Sequence, residues 1–192
     1  MFRYLFLISL FLVIFTSCNT ILEKKNSNYN SILDKYSKSD YKYKDLFDGK
    51  LTLEVVFISN DIKNALKKDI KSNNLRKKNI PFPIDNDYPS FLVAFYHYDY
   101  KANNLDREET SWDISLKLKN KTYKPSKVTK LFKSNHKVFK TYFNNEQRFS
   151  TFYLVEFKNL KLDKLSGNIS LVLSSIDAAL KAVWRLWCLS PF

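Results

Sequence analysis

Trp112-Asp113-Ile114-Ser115-Leu116-Lys117-Leu118-Lys119 is the stretch that decides the fold class of this chain. In an extended backbone successive side chains point to opposite faces, so Trp112, Ile114, Leu116 and Leu118 share one side. Asp113, Ser115, Lys117 and Lys119 take the other. Wound as a helix, the same residues would scatter their apolar groups around the axis. The pattern predicts a strand with one face on a core and one in water. Asn120-Lys121 then reads as a turn, and Pro125 stops the short Thr122-Tyr123 run behind it.

The same period recurs on both sides. Leu51 to Ile58 is rich in β-branched and aromatic residues. Ser90 to Tyr100 is the longest such run, with Phe91, Val93 and Phe95 on one side and Leu92, Ala94 and Tyr96 on the other. A strand apolar on both sides is expected to be covered on both faces. Further strands are predicted at 127–132, 136–143, 150–158, 168–174 and 181–187; Ile169, Leu171 and Leu173 mark one face of the penultimate run, and Ala182, Trp184 and Leu186 one face of the last. One segment breaks the period. After Ser59-Asn60-Asp61, a good helix N-cap, Ile62, Ala65, Leu66 and Ile70 recur at helical spacing. Lys63, Asn64, Lys67, Lys68 and Lys71 are then expected to face solvent, and Pro81, Pro83 and Pro89 mark a long loop. Together these predict a mainly β protein: an antiparallel β-sandwich of about seven or eight strands with one short inserted helix, spanning 46–192. A closed barrel is the alternative. A transmembrane barrel is not expected, because most of the runs are short and lysine-rich.

Composition agrees with a packed body. Of 192 residues, 45% are hydrophobic and 16% aromatic, too many for a wholly disordered chain. Two Gly and two Cys exclude a glycine-rich phosphate loop, a disulfide scaffold and a multi-cysteine zinc module.

The beginning of the chain reads differently. Met1-Phe2-Arg3 is a short basic start, Tyr4 to Phe15 is apolar but for Ser9, and Thr16-Ser17-Cys18 follows. This is the layout of an export signal. Its apolar run is too short for a membrane span, which takes about 20 residues. Phe15-Thr16-Ser17-Cys18 resembles the lipobox of bacterial lipoproteins, with Phe15 where Leu is usual. That relaxed first position is similar to the lipoboxes of spirochaetes, and the body, through Trp112 to Pro125, resembles in a general way the uncharacterised lipoproteins of AT-rich spirochaetes. The resemblance implies a removed leader at 1–17 and acyl chains (palmitate among them) on Cys18. It also implies an envelope location on an outer membrane, at its periplasmic or surface face. Residues 18–45, polar and without a sustained pattern, are expected to be a tether. An ordinary secretory signal is the alternative, as is a Cys18–Cys188 disulfide, which would exclude lipidation of the thiol.

Little in the chain points to catalysis. Alternation puts His97 and Asp99 on one side of a strand, where a carboxylate could orient an imidazole as a general base; the plainer reading is a polar strand end in water. His136 reads as a turn residue. No cysteines or histidines stand at metal-ligand spacing, and Asp85-Asn86-Asp87 offers oxygen ligands for calcium without the rest of an EF-hand pattern. The expectation is therefore no enzyme, no metal and no cofactor: a lipid-anchored structural or interaction module that meets a membrane, with an envelope protein or an acidic polymer as its further candidate partners. A hydrolase centred on His97 and Asp99 is the remaining catalytic alternative.

The net charge of +13 has three readings. Lys, Asn, Ile, Phe and Tyr all have AT-rich codons, so composition alone would make a basic surface. Attraction to anionic headgroups is the second. The third is a surface adhesin binding an acidic polymer such as sulfated polysaccharide, through Lys67, Lys68, Lys77, Lys78 and the run Lys117 to Lys133. Specific nucleic-acid binding is not expected from a chain with five Arg and an export signal.

Overall fold

Burial follows the alternation most plainly at the end of the chain. In the last strand of the chain, Ala179–Leu186, residues Leu180, Ala182 and Trp184 are buried while Ala179, Lys181, Val183 and Arg185 are exposed. In Asp113–Leu118, Ile114 and Leu116 are buried and Asp113 and Lys117 exposed, but Ser115, expected on the water face, is buried as well. The computed structural model describes residues 27–43, 50–72, 80–131, 142–143, 150–176 and 178–186. In chain order the elements are α1 (Ser27–Tyr36), β1 (Ser37–Tyr43), β2 (Lys50–Phe57), α2 (Asn60–Lys71), β3 (Ser90–Tyr96), β4 (Asp113–Leu118), β5 (Lys121–Tyr123), β6 (Lys127–Leu131), β7 (Thr151–Glu156), β8 (Gly167–Ser174) and β9 (Ala179–Leu186). Short 3-10 turns lie at Tyr100–Ala102 and Leu162–Lys164.

The protein is mainly β, with nine strands in two antiparallel sheets among the described residues. The first sheet runs β1-β2-β3-β7-β6, the second β5-β4-β8-β9. Register fixes the faces. Phe57 lies opposite Phe91, Val55 opposite Val93 and Leu53 opposite Phe95, so these point together to the second sheet. Trp184 of β9 meets them there, its ring 6.0 Å from Phe57 and 5.4 Å from Phe91. At the other end Phe95 meets Trp112 at 5.0 Å. Such tilted and edge-on pairs suit rings whose faces and edges carry opposite partial charge.

β3 is buried on both faces, as its sequence predicts, because it is the central strand of five and its outer face is also covered. Leu92 and Ala94 stand on that outer face with Leu154 and Phe152. Phe143 packs on Phe152 at 5.5 Å, and Tyr142 on Phe82 at 5.6 Å. α2 begins as expected: Ser59 Oγ accepts from the Ile62 N–H (3.3 Å), and Ile62 and Leu66 are buried.

One expectation needs correction. The stretch read as a tether over 18–45 is in part ordered body: Ser27–Tyr36 is a second helix, and Ser37–Tyr43 is an edge strand paired with β2 from Ser37↔Val56 to Tyr43↔Lys50. Leu33 and Tyr36 belong to the core. The helix offers few apolar residues, and β1 is held by its backbone bonds to β2 more than by apolar side chains, so neither raises a hydrophobic period. The strand expected over 136–143 lies largely outside the described residues.

The two sheets are tied where β1 and β9 run side by side. Trp184 Nε1–H donates to the Tyr36 carbonyl (2.8 Å, buried), and the Lys181 N–H donates to Asp40 Oδ2 (2.8 Å). A buried carbonyl that loses its donor costs about 1–3 kcal/mol. Trp184→Phe, which keeps an aromatic ring but removes the N–H, is therefore expected to lower unfolding stability by about 1–3 kcal/mol in urea titration; Val183→Thr, on the exposed face of the same strand, should change it far less.

Candidate functional site

The residues singled out in the sequence fall in different places. Cys18, Cys188, His136, Lys77 and Lys78 lie outside the described residues. Lys67 and Lys68 are exposed on α2, and Lys67 is bridged to Asp85 at 3.2 Å. Half of the proposed α2 contact is thus already engaged by a carboxylate.

His97 and Asp99 do not form a dyad. The His97 Nδ1 sits 3.0 Å from the Asp99 N–H, which donates to it. The Asp99 carboxylate turns the other way: its Oδ1 accepts from the Lys101 N–H (2.9 Å) and caps the 3-10 turn Tyr100–Ala102. The imidazole stacks on Tyr98 at 4.3 Å. Asn103 finishes the turn by accepting from the His97 N–H (2.9 Å) while Tyr153 donates to the Asn103 carbonyl (2.7 Å). The arrangement closes the backbone turn, and Asp99 is not the carboxylate that would orient the imidazole.

The oxygen-rich loop Asp85-Asn86-Asp87 is held by lysines. Lys67 bridges Asp85, and Lys63 Nζ donates to the Asn86 carbonyl (2.8 Å). Asn86 Nδ2 donates to Ser90 Oγ (2.8 Å), and the Asn86 Oδ1 is buried without a hydrogen-bond partner. Two ammonium groups occupy the surroundings that a calcium ion would need. No group of three or more potential metal ligands occurs among the described residues. Lys63 itself corrects the sequence reading, which put it in solvent. It is 3% exposed. Its position shares a helix face with Ile62, Leu66 and Ile70, so its stem joins the apolar stripe while its amine reaches the loop.

Two features emerge that no single motif announced. The first is a lysine ridge. Lys117, Lys119, Lys121, Lys124, Lys127 and Lys130 are all exposed, on β4, the β4–β5 turn, β5 and β6. β5 and β6 are edge strands of different sheets joined by residues 124–126, on the side away from the β1–β9 contact. The sequence from 114 to 131 has no acidic residue, and Asp113 is paired with Lys124.

The second is a cleft of about 670 Å³ at the end of the sandwich where α1, α2 and β9 converge. Phe57, Leu162, Leu165 and Trp184 supply its apolar wall; Lys35, Lys38, Asp61 and Asp163 are on its rim. Tyr36 Oη–H donates to Asp61 Oδ2 (2.5 Å), and Lys35 Nζ is 3.5 Å from the same oxygen. Burial, reinforced by donation to Asp61, raises the Tyr36 phenol above its ordinary pKa.

No helix among the described residues is long and apolar enough to cross a membrane. No family model, no curated protein and no solved structure matches the chain.

Burial, with the nearby charge of Lys67, pushes the Lys63 amine down to about 8 against a weaker pull from Asp87. Between about pH 8 and the ordinary lysine value near 10.5, the unfolded chain then binds more protons than the folded one, so this group makes the fold more stable as the pH rises. Comparing wild type with Lys63→Met by urea titration, the wild type should gain up to about 3 kcal/mol on the variant between pH 7 and pH 10. A difference independent of pH would show that the amine titrates as in water.

Proposed function

We propose that the chain is a lipid-anchored, non-enzymatic interaction module of a bacterial cell envelope, held at a bilayer through Cys18. The observation that carries this reading is the sequence Phe15-Thr16-Ser17-Cys18 behind a basic, apolar leader. The two-sheet body is consistent with it: α1 begins at Ser27, so a self-sufficient folded unit follows the cysteine closely. Several acyl chains would hold such a body stably, since each buried methylene contributes about 0.8 kcal/mol where a single chain is marginal. Intact mass of the membrane-extracted protein is expected to give Cys18 as the first residue carrying acyl mass, and Cys18→Ser is expected to keep the leader and lose the lipid. A mature chain with an unmodified first residue, found in the aqueous phase of a detergent partition, would overturn the reading.

A second reading, binding of an acidic polymer, is favoured by the lysine ridge. Six exposed lysines between 117 and 130, carried by strands at adjoining sheet edges, supply positive charge that a linear polyanion could follow, and exposed charges act over roughly a Debye length, about 8 Å at physiological salt. The contacts proposed now centre on Lys117 to Lys130 and leave Lys67 to its bridge with Asp85. On immobilised heparin, Lys119→Gln/Lys121→Gln/Lys127→Gln is expected to elute at clearly lower salt than wild type, whereas Lys67→Gln/Lys68→Gln should elute close to it. Equal elution of all three proteins would mean that the ridge is a solvated surface and nothing more.

A further inference from the structure

We infer that the cleft at the α1–α2–β9 end binds an amphiphile: a molecule with one anionic head group and a short apolar tail. The inference concerns the folded body alone and stands whether or not Cys18 is acylated.

Size and lining come first. A cleft of about 670 Å³ lies within the range of roughly 300–1,000 Å³ typical of small-molecule sites. Its wall is one end of the between-sheet core, formed by the buried residues Phe57, Trp184, Leu162 and Leu165, so a tail laid there extends packing that already exists. The polar groups deeper in the wall are spent: Trp184 Nε1–H is bonded to the Tyr36 carbonyl, and Ser59 Oγ to the Ile62 N–H. Nothing in the wall asks for a polar tail.

The rim chooses the head. Asp61 is already engaged by the Tyr36 hydroxyl and by Lys35. Lys38 is not. It stands opposite Val55 in the β1–β2 register, which aims it to the core side of the strand, and it is half-buried. Among the described residues no carboxylate lies within ion-pair distance of it. An ammonium at the cleft mouth with no carboxylate beside it is a ready partner for an anionic group placed there. The first turn of α2, through Ser59, Asn60 and Asp61, borders the same space. Its dipole favours negative charge there, an effect that the Asp61 carboxylate partly offsets. Asp163, the other acid of the rim, is exposed and faces bulk water, where it is the weaker influence.

Octanoate is a suitable probe because it is soluble in water, with octanol as its uncharged counterpart. Full-length protein, in phosphatidylcholine nanodiscs if it is acylated and in plain buffer if it is not, titrated with each and followed by tryptophan fluorescence against the matching blank, is expected to bind octanoate saturably and at least ten-fold more tightly than octanol. Lys38→Gln should weaken octanoate binding by ten-fold or more and leave octanol binding unchanged. Ser166→Trp, placed in the lining to fill the mouth, should remove both. Octanoate and octanol binding alike, a Lys38→Gln protein that binds as wild type does, an Ser166→Trp protein that still binds octanoate, or no saturable signal at all would each overturn the assignment.

Discussion

The hydrogen bond from the Trp184 indole to the Tyr36 carbonyl is the constraint on which the rest of the architecture depends. The ring of Trp184 fills the space between the sheets against Phe57 and Phe91. Its N–H cannot be left unmet in so apolar a place without a cost of about 1–3 kcal/mol. The Tyr36 carbonyl meets it, and α1 ends at that residue. The chain therefore leaves the helix in the register that sets Ser37 against Val56 and runs β1 along the edge of the first sheet. The same geometry leaves the end of the core open between α1, α2 and β9, which is the cleft.

The outer face of the first sheet poses a different problem. Its strands β2, β3 and β7 bury residues on both faces and need a cover on the second side, to which α2 and the loop after it contribute. The loop is polar, so it is fastened by specific bonds: Lys63 to the Asn86 carbonyl, Asn86 to Ser90, and Tyr88 Oη–H to Glu156 (2.7 Å). Glu156 is 5% exposed and Ser90 fully buried, and both lie on the covered face. Polar groups on that face are thus paired with the loop, in keeping with the rule that buried polar atoms find partners.

Much of this could be read from residue order, and the parts that could not have identifiable causes. β9 announces itself because Leu180, Ala182 and Trp184 are buried and the residues between them exposed, as a period of two records, whereas β3 and β8 are legible as apolar-rich runs that bury consecutive residues, Phe91 to Phe95 and Ile169 to Leu173. α2 was legible through Ser59 and the spacing of Ile62, Leu66 and Ile70. β1 was not, since its sequence Ser-Lys-Ser-Asp-Tyr-Lys-Tyr is ordered by main-chain bonds and by Asp40 reaching across to β9. Lys63 was misassigned because pattern reading sorts by residue type, whereas a lysine can bury its stem. The cleft joins residues from 35 to 186 and has no local signature at all. The pairing of His97 with Asp99 failed for a local reason: the carboxylate is more useful to the turn that starts at Tyr100 than to the imidazole.

Where β1 and β9 lie side by side, each covers a border that a sheet would otherwise leave open. Unsatisfied strand borders are the usual templates for chain-to-chain stacking into fibres, and proteins blunt them with inward charges and cross-contacts. Lys38 and Asp40 point inward on β1, and Asp40 takes up the Lys181 amide that an incoming strand would seek. A neighbour adding itself here would have to pull that carboxylate away and strand a charge in the process. Copies of the chain are in this way discouraged from polymerising through the β1 edge of the first sheet.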